Sequence, residues 1–116
     1  MIIYELIECE LDEKNFRTDI RSIAFFKSTQ NVFDYLTKDG KTHDAISVVG
    51  SDNTDPEYIK SRLDSSYSII KVHTEAFENP LLGWLYPACD TFYYCRSHEV
   101  RNYGFFRPEK KKNREL

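Results

Sequence analysis

The first eleven residues constrain the fold more than any other part of the chain. Apolar side chains fall on both faces of an extended segment: Ile2, Tyr4 and Leu6 on one, and Ile3, Ile7, Cys9 and Leu11 on the other. A strand that is apolar on both faces is typical of the interior of a sheet rather than of its edge. The sequence therefore predicts a sheet with a central N-terminal strand and further layers or strands around it.

Two elements are predicted directly after this strand. Asp12 to Asn15 forms a polar turn, and a second strand over Thr18 to Phe26 would pair with the first as a hairpin. Ser28 or Thr29 then offers an N-cap for a helix in which apolar residues recur at helical spacing. Lys38 lies near the expected end of that helix, and Gly40 would supply its left-handed cap.

The middle of the chain predicts a strand, a helix and another strand. Ala45 to Val49 is a short β-branched run that indicates a buried strand. Asp55-Pro56-Glu57 is a helix start, because Asp caps, Pro suits the first position and Glu favours the positive end of the dipole. Tyr67 to His73 alternates loosely and indicates a further strand.

The last third is rich in aromatic residues. Asn79-Pro80 and Pro87 bracket an apolar stretch that we predict to pack as a lid or short helix. Thr91 to Cys95 and Val100 to Phe106 predict a final hairpin that turns near Ser97-His98. Along the first of these strands Phe92, Tyr94 and Arg96 would share one face, with Tyr93 and Cys95 on the other.

These elements sum to an α+β fold in the order β-β-α-β-α-β-β. We expect a mostly antiparallel sheet with two helices packed on one face. With 116 residues, the chain is long enough to bury a core in one domain. We predict that this single α+β domain spans 1–108, followed by a basic flexible tail over 109–116.

Composition points to a soluble cytoplasmic protein. Apolar residues make up 41% and charged residues 30%, which is ordinary for a globular domain. No stretch has the apolar length to cross a bilayer, and the N-terminus does not resemble a secretion signal. The three cysteines do not form a disulfide framework, which fits a reducing compartment.

Charge is divided unevenly along the chain. Residues 107–116 hold five basic and two acidic groups, which leaves 11 basic against 17 acidic groups in the preceding 106 residues, a net of −6. An acidic body would be repelled by a nucleic-acid backbone over most of its surface. A cationic patch is therefore expected only at the C-terminal end.

No catalytic or metal-binding motif is found. Cys89, Cys95 and His98 are close in sequence, but their spacing does not match the paired ligands of a structural zinc site. Cys95 and His98 would point to opposite faces of a strand, which disfavours a thiol nucleophile activated by that imidazole. We expect a non-enzymatic protein with no metal and no cofactor.

Certain aromatic and basic residues of the C-terminal third are the candidate binding residues, because Trp, Tyr and Arg dominate protein interfaces. The residues chosen are Trp84, Tyr86, Tyr94, Arg96, Tyr103 and Arg107. The expected partner is another protein, and the exposed aromatics would also permit self-association into a homo-oligomer. The alternative is single-stranded nucleic acid, bound through the aromatic C-terminal strands and the basic tail.

The chain has two resemblances, the first to proteins of unassigned role and the second to proteins that bind other proteins. The segments Ile3-Tyr4-Glu5-Leu6 and Ser22-Ile23-Ala24-Phe25-Phe26-Lys27-Ser28 resemble small prokaryotic and phage proteins in which a hairpin leads directly into a helix. The overall composition, rich in Lys, Asn, Asp, Tyr and Phe with few Gly and Ala, resembles small accessory proteins of large lytic bacteriophages. Many of those bind and block a host protein. The resemblance implies an inhibitor or modulator of a host protein, acting in the host cytoplasm.

Overall fold

A computed structural model describes residues 1–38 and 45–100 of the chain. Within these ranges the fold is α+β, as predicted, with a mostly antiparallel sheet and two helices. The elements run in the order β1 (Ile2–Leu11), β2 (Arg17–Phe26), α1 (Thr29–Thr37), β3 (Ile46–Val48), α2 (Pro56–Arg62), β4 (Ile70–Thr74), β5 (Phe77–Asn79), β6 (Trp84–Tyr86) and β7 (Cys89–Glu99). The predicted boundary at residue 108 and the tail 109–116 lie outside the described residues.

The main sheet has the strand order β2-β1-β7-β4-β3, so β1 is an interior strand, as its two apolar faces predict. It pairs antiparallel with β2 through a hairpin and with β7 on its other side. The Asp12 carboxylate closes the hairpin turn by accepting the backbone N–H groups of Lys14 at 2.8 Å and Phe16 at 2.9 Å. Asn15 adopts the left-handed conformation there, with φ 64°, which asparagine tolerates better than most residues.

The β2 edge of the sheet is irregular. Its pairing with β1 shifts register twice, and Asp19 has a positive φ of 48°. Bulges of this kind bend an edge strand and interrupt its row of free backbone groups. They make β2 a poor template for edge-to-edge pairing with another chain.

Both helices begin where the sequence indicates. Ser28 is the N-cap of α1, and its Oγ accepts the N–H of Asn31 at 3.1 Å. Asp55 is the N-cap of α2, with Pro56 in the first position and the Glu57 N–H donating to the Asp55 carboxylate at 3.1 Å. The predicted Gly40 cap falls outside the described residues. Neither helix has the length and apolarity to span a bilayer in the described parts of the chain.

The core lies between the helices and one face of the sheet. The sheet contributes Leu6 of β1, Cys95 of β7, Ile70 and Val72 of β4, and Ile46 and Val48 of β3. The helices contribute Val32, Phe33 and Leu36 of α1, Ile59 of α2, and Leu63, the C-cap residue of α2. A smaller cluster of Ile7, Cys9 and Tyr94 lies on the second face of the sheet, with Leu11 and Phe92 packed against it. Strand alternation therefore buries apolar side chains on both faces of β1 and β7.

Three sequence predictions are wrong in detail. β7 continues through Ser97 and His98, the expected turn, which pair with Tyr4 and Ile3 of β1. Residues 101–106 of the second predicted strand lie outside the described residues. β4 begins at Ile70, because Tyr67 lies in an exposed turn at 89% exposure. The stretch between Asn79 and Pro87 is neither lid nor helix but contains β6 of a small hairpin.

Leu6→Ala should lower the free energy of unfolding by about 2–5 kcal/mol, because Leu6 is fully buried and the substitution leaves a cavity. Leu81→Ala is the matched control, since Leu81 is 94% exposed and should change stability by less than about 0.5 kcal/mol. Urea unfolding of both variants measures the difference. Equal, small effects would contradict the assignment of Leu6 to the core.

Candidate partner-binding site

The candidate site is the hairpin formed by β5 and β6, residues 77–86, hereafter the aromatic hairpin. It continues the β4–β7 ladder in the same register: Thr74 pairs with Cys89, and three residues further along Phe77 pairs with Tyr86. The ladder breaks between these pairs, where Pro87 has no N–H to donate. β4 to β7 is therefore one long ribbon whose far end extends beyond the five-stranded sheet.

Turn chemistry at Asn79 to Gly83 closes the hairpin. The Asn79 side-chain oxygen accepts the N–H of Leu81 at 3.0 Å and that of Leu82 at 3.3 Å, and its backbone oxygen accepts the N–H of Gly83 at 2.8 Å. Gly83 has φ +68°, a left-handed conformation that glycine adopts without the strain of a Cβ. The Asn, Pro and Gly at these spacings are a turn signal, and they are the signal that could have predicted a hairpin here.

Aromatic rings lie together on one face of the hairpin. Phe77 and Tyr86 are cross-strand partners, and their rings stack with centroids 4.8 Å apart and planes 16° apart. The Trp84 ring lies 6.4 Å from the Tyr86 ring in a tilted arrangement. These contacts hold the three rings in a defined arrangement while leaving much of their surface accessible to solvent.

The hairpin carries an unusual amount of exposed apolar surface. The exposed large side chains are Phe77, Leu81, Leu82, Trp84 and Leu85, with Trp84 61% and Leu85 73% exposed. Neither core cluster of the described residues includes a side chain from this hairpin. Removing apolar surface from water contributes a favourable free energy of about 25 cal/mol for each Å². A partner that covers this patch would therefore be bound favourably.

The charged residues of the segment that contains the hairpin are all acidic, apart from one histidine. From Val72 to Cys95 the sequence has no Lys or Arg, and its three carboxylates are Glu75, Glu78 and Asp90. All three are exposed. The hairpin is therefore an apolar patch with an acidic base.

His73 lies between two of these carboxylates where the ribbon leaves the main sheet. Its Nδ1 is 2.7 Å from the Asp90 carboxylate and its Nε2 is 3.3 Å from that of Glu75. The hydrogen bond to Asp90, together with the negative charges of Asp90 and Glu75, raises the pKa of His73 above its ordinary value. The imidazolium form, which donates from both nitrogens, suits this position.

Of the predicted binding residues, the structure brings Trp84 and Tyr86 together on the aromatic hairpin. Tyr94 is only 5% exposed, because it lies in the cluster on the second face of the sheet and the Arg17 guanidinium covers its ring at 4.1 Å. Its expected place on an exposed face is therefore wrong. Arg96 is exposed on β7, seven residues beyond Cys89 and so about 23 Å along the strand.

Two further predicted residues, Tyr103 and Arg107, fall outside the described residues. Sequence reasoning also missed part of the patch, namely Phe77, Leu81, Leu82 and Leu85. These four belong to the stretch in and around the predicted lid, where an apolar pattern favoured burial. The pairing of β5 with β6 places them on a projecting element instead.

The structure separates the residues considered for thiol chemistry. Cys95 is buried in the core, where burial raises the pKa of its thiol to about 12 and keeps it protonated near neutral pH. His98 lies on the opposite face of β7, with Nε2 2.9 Å from the Glu5 carboxylate. Within residues 1–38 and 45–100, no three His, Cys, Asp or Glu side chains are grouped to hold a metal ion.

A cavity of about 570 Å³ is a second place where a ligand could bind. It opens between the β1–β2 turn and the loop after β3, with Lys71, Asp90 and Phe92 along its wall. The carboxylates of Asp12 and Asp90 are occupied, the first by its own turn and the second by His73. Asp52 and Lys71 of its lining form no side-chain hydrogen bond or ion pair among the described residues, but they are of opposite sign, and the hairpin, with its exposed apolar surface, is the stronger candidate.

Comparisons of the chain with protein-family models, curated proteins and solved structures found no match.

The His73 contacts should make stability depend on pH. Because the folded pKa is raised, this contribution is fully present below the unfolded value of about 6.5 and is lost as pH rises through the folded pKa. NMR titration of the ring should give a His73 pKa above that of a denatured chain, and His73→Gln should remove this part of the pH dependence of unfolding. A His73 pKa at or below the denatured value would contradict the proposed contacts.

Proposed function

We propose that this protein is a small non-enzymatic protein-binding module whose contact surface is the aromatic hairpin. The observation that carries the proposal is the exposure of Trp84, Leu85 and Phe77 on an element outside both described core clusters. Exposed apolar patches of this kind mark interaction sites in soluble proteins. A two-stranded hairpin alone is only marginally stable, so contact with a partner would also stabilise it.

The residue types of the hairpin suit a protein interface. Trp and Tyr are the side chains most often found at energetic hot spots, since each buries a large area with few rotatable bonds. The stacking of Phe77 on Tyr86 and the hydrogen bonds of Asn79 restrict the hairpin before any partner binds. Such restriction lowers the entropy lost on association.

Charge favours a protein over a nucleic acid as the partner. A base stacked on Trp84 would bring its phosphates toward Glu75, Glu78 and Asp90, with no Lys or Arg between Lys71 and Arg96 to neutralise them. The buried position of Tyr94 also removes one of the aromatics on which bases were expected to stack. Single-stranded nucleic acid is therefore the weaker hypothesis.

The resemblance to bacteriophage accessory proteins suggests the class of partner. We extend the proposal to an inhibitor or modulator of a host protein, acting in the host cytoplasm. In this proposal Trp84 and Tyr86 make the central contact, while Arg96, Tyr103 and Arg107 are secondary candidates. Self-association through the same hairpin is the competing outcome.

Trp84→Ala should weaken capture of the partner by about 30-fold or more, as truncation of a central aromatic costs about 2 kcal/mol or more. The tagged protein would be used to capture partners from a lysate of its native host, with and without nuclease, and the dissociation constant of any stoichiometric protein measured. The thermal unfolding temperature should change little, because Trp84 is exposed.

Tyr67→Ala is the matched control, since Tyr67 is an 89% exposed aromatic outside the hairpin and should leave binding unchanged. Recovery that collapses with nuclease would replace the proposal with nucleic-acid binding. Unfolding of the Trp84 variant would mean that the hairpin belongs to the core.

A further inference from the structure

Glu78 is the one acidic residue within the aromatic hairpin, residues 77–86. Among the described residues its carboxylate forms no hydrogen bond and no ion pair, whereas Asp90 and Glu75 both contact His73. Glu78 is exposed and lies directly across the ladder from Leu85, which is 73% exposed. Alternation places Glu78 and Leu85 on the face of the hairpin opposite to the Phe77, Trp84 and Tyr86 rings, so this charge borders the apolar tip from the second face.

The rest of the apolar surface has no charge at all. Residues 79–89 contain no acidic or basic side chain, so Glu78 lies at the boundary between an uncharged tip and the acidic base. Interfaces commonly have an apolar centre and a polar rim. Charges at the rim attract partners with opposite charges and repel partners with like charges, which discriminates between partners of similar shape. A partner with carboxylates at that rim would be repelled by Glu78.

We propose that Glu78 selects partner proteins in which an apolar face is flanked by Lys or Arg. The apolar tip would pack on that face while the Glu78 carboxylate pairs with a basic side chain at its edge. This inference depends on the proposed function, because it names the chemistry of the protein surface that the aromatic hairpin binds. In this proposal Trp84 contributes most of the binding affinity, and Glu78 determines the specificity for one class of partner.

The test uses two synthetic amphipathic helical peptides of equal length, one made of Leu and Lys and the other of Leu and Glu. Trp84 is the only tryptophan in the chain, so its fluorescence reports directly on the hairpin. The Leu/Lys peptide should shift Trp84 emission to shorter wavelength at lower concentration than the Leu/Glu peptide. Added salt should reduce the difference, as it screens exposed charges.

Substitutions at Glu78 sharpen the test. Glu78→Gln should weaken binding of the Leu/Lys peptide by about two- to fivefold, the range expected for one exposed ion pair. Glu78→Lys should reverse the preference and favour the Leu/Glu peptide. Glu13→Gln, which removes an exposed charge from the β1–β2 turn, is the control and should bind like the unaltered chain.

Each other outcome contradicts a stated part of the account. Equal binding of the two peptides, or no binding of either, would overturn the role of Glu78. The proposed function is tested separately, by the effect of Trp84→Ala on capture of a host protein. A preference that Glu78→Gln and Glu13→Gln reduce equally would reflect net charge and would also overturn it. A Trp84 shift with phosphatidylcholine vesicles and not with peptides would overturn both proposals in favour of a lipid surface.

Discussion

The pairing of β1 with both β2 and β7 is the constraint on which the rest of the structure depends. β1 has a strand paired at each edge and side chains packed on each face, and Leu6 and Ile7 are 0% and 3% exposed on opposite faces. The helices cover the Leu6 side, while Tyr94, Cys9 and the Arg17 guanidinium close around Ile7. β7 pairs with β1 from Ile2 to Cys9, which takes a strand of this length.

The length of β7 also explains the aromatic hairpin. The first residues of β7 pair with β4, and most of β7 pairs with β1. The chain that connects β4 to β7 therefore leaves the sheet and returns to it at the same end. The residues of that excursion keep the register of the ladder and form β5 and β6. Among the described residues, neither helix packs against the apolar side chains of this extension, so these side chains are available to a partner.

The sequence predicts an element well where the signal is local. The two faces of β1, the Ser28 and Asp55 caps and the β1–β2 hairpin follow from periodicity and capping chemistry, and the structure confirms them. It fails where pairing between distant segments decides, as at Ser97 and His98, whose partners are ninety residues away in β1. Burial of Tyr94 likewise depends on Arg17 from another strand, which periodicity within β7 does not reveal.

The same limit applies to the candidate site. Trp84 and Tyr86 could be chosen from residue type alone, but Leu81, Leu82 and Leu85 looked like core because apolar residues usually are. Only the register shared by the two ladders places them beyond the sheet. Residue type thus predicts which side chains can bind, and topology decides which of them are exposed.

The most direct test of the account is the accessibility of Trp84 in the isolated protein. We predict an emission maximum and an acrylamide quenching constant close to those of the chain unfolded in denaturant, because Trp84 is 61% exposed. The measurement should be made over a range of protein concentrations. Blue-shifted, shielded emission that persists at high dilution would contradict the account by placing Trp84 in the core. Shielding that disappears on dilution would identify a second copy of the chain as the partner.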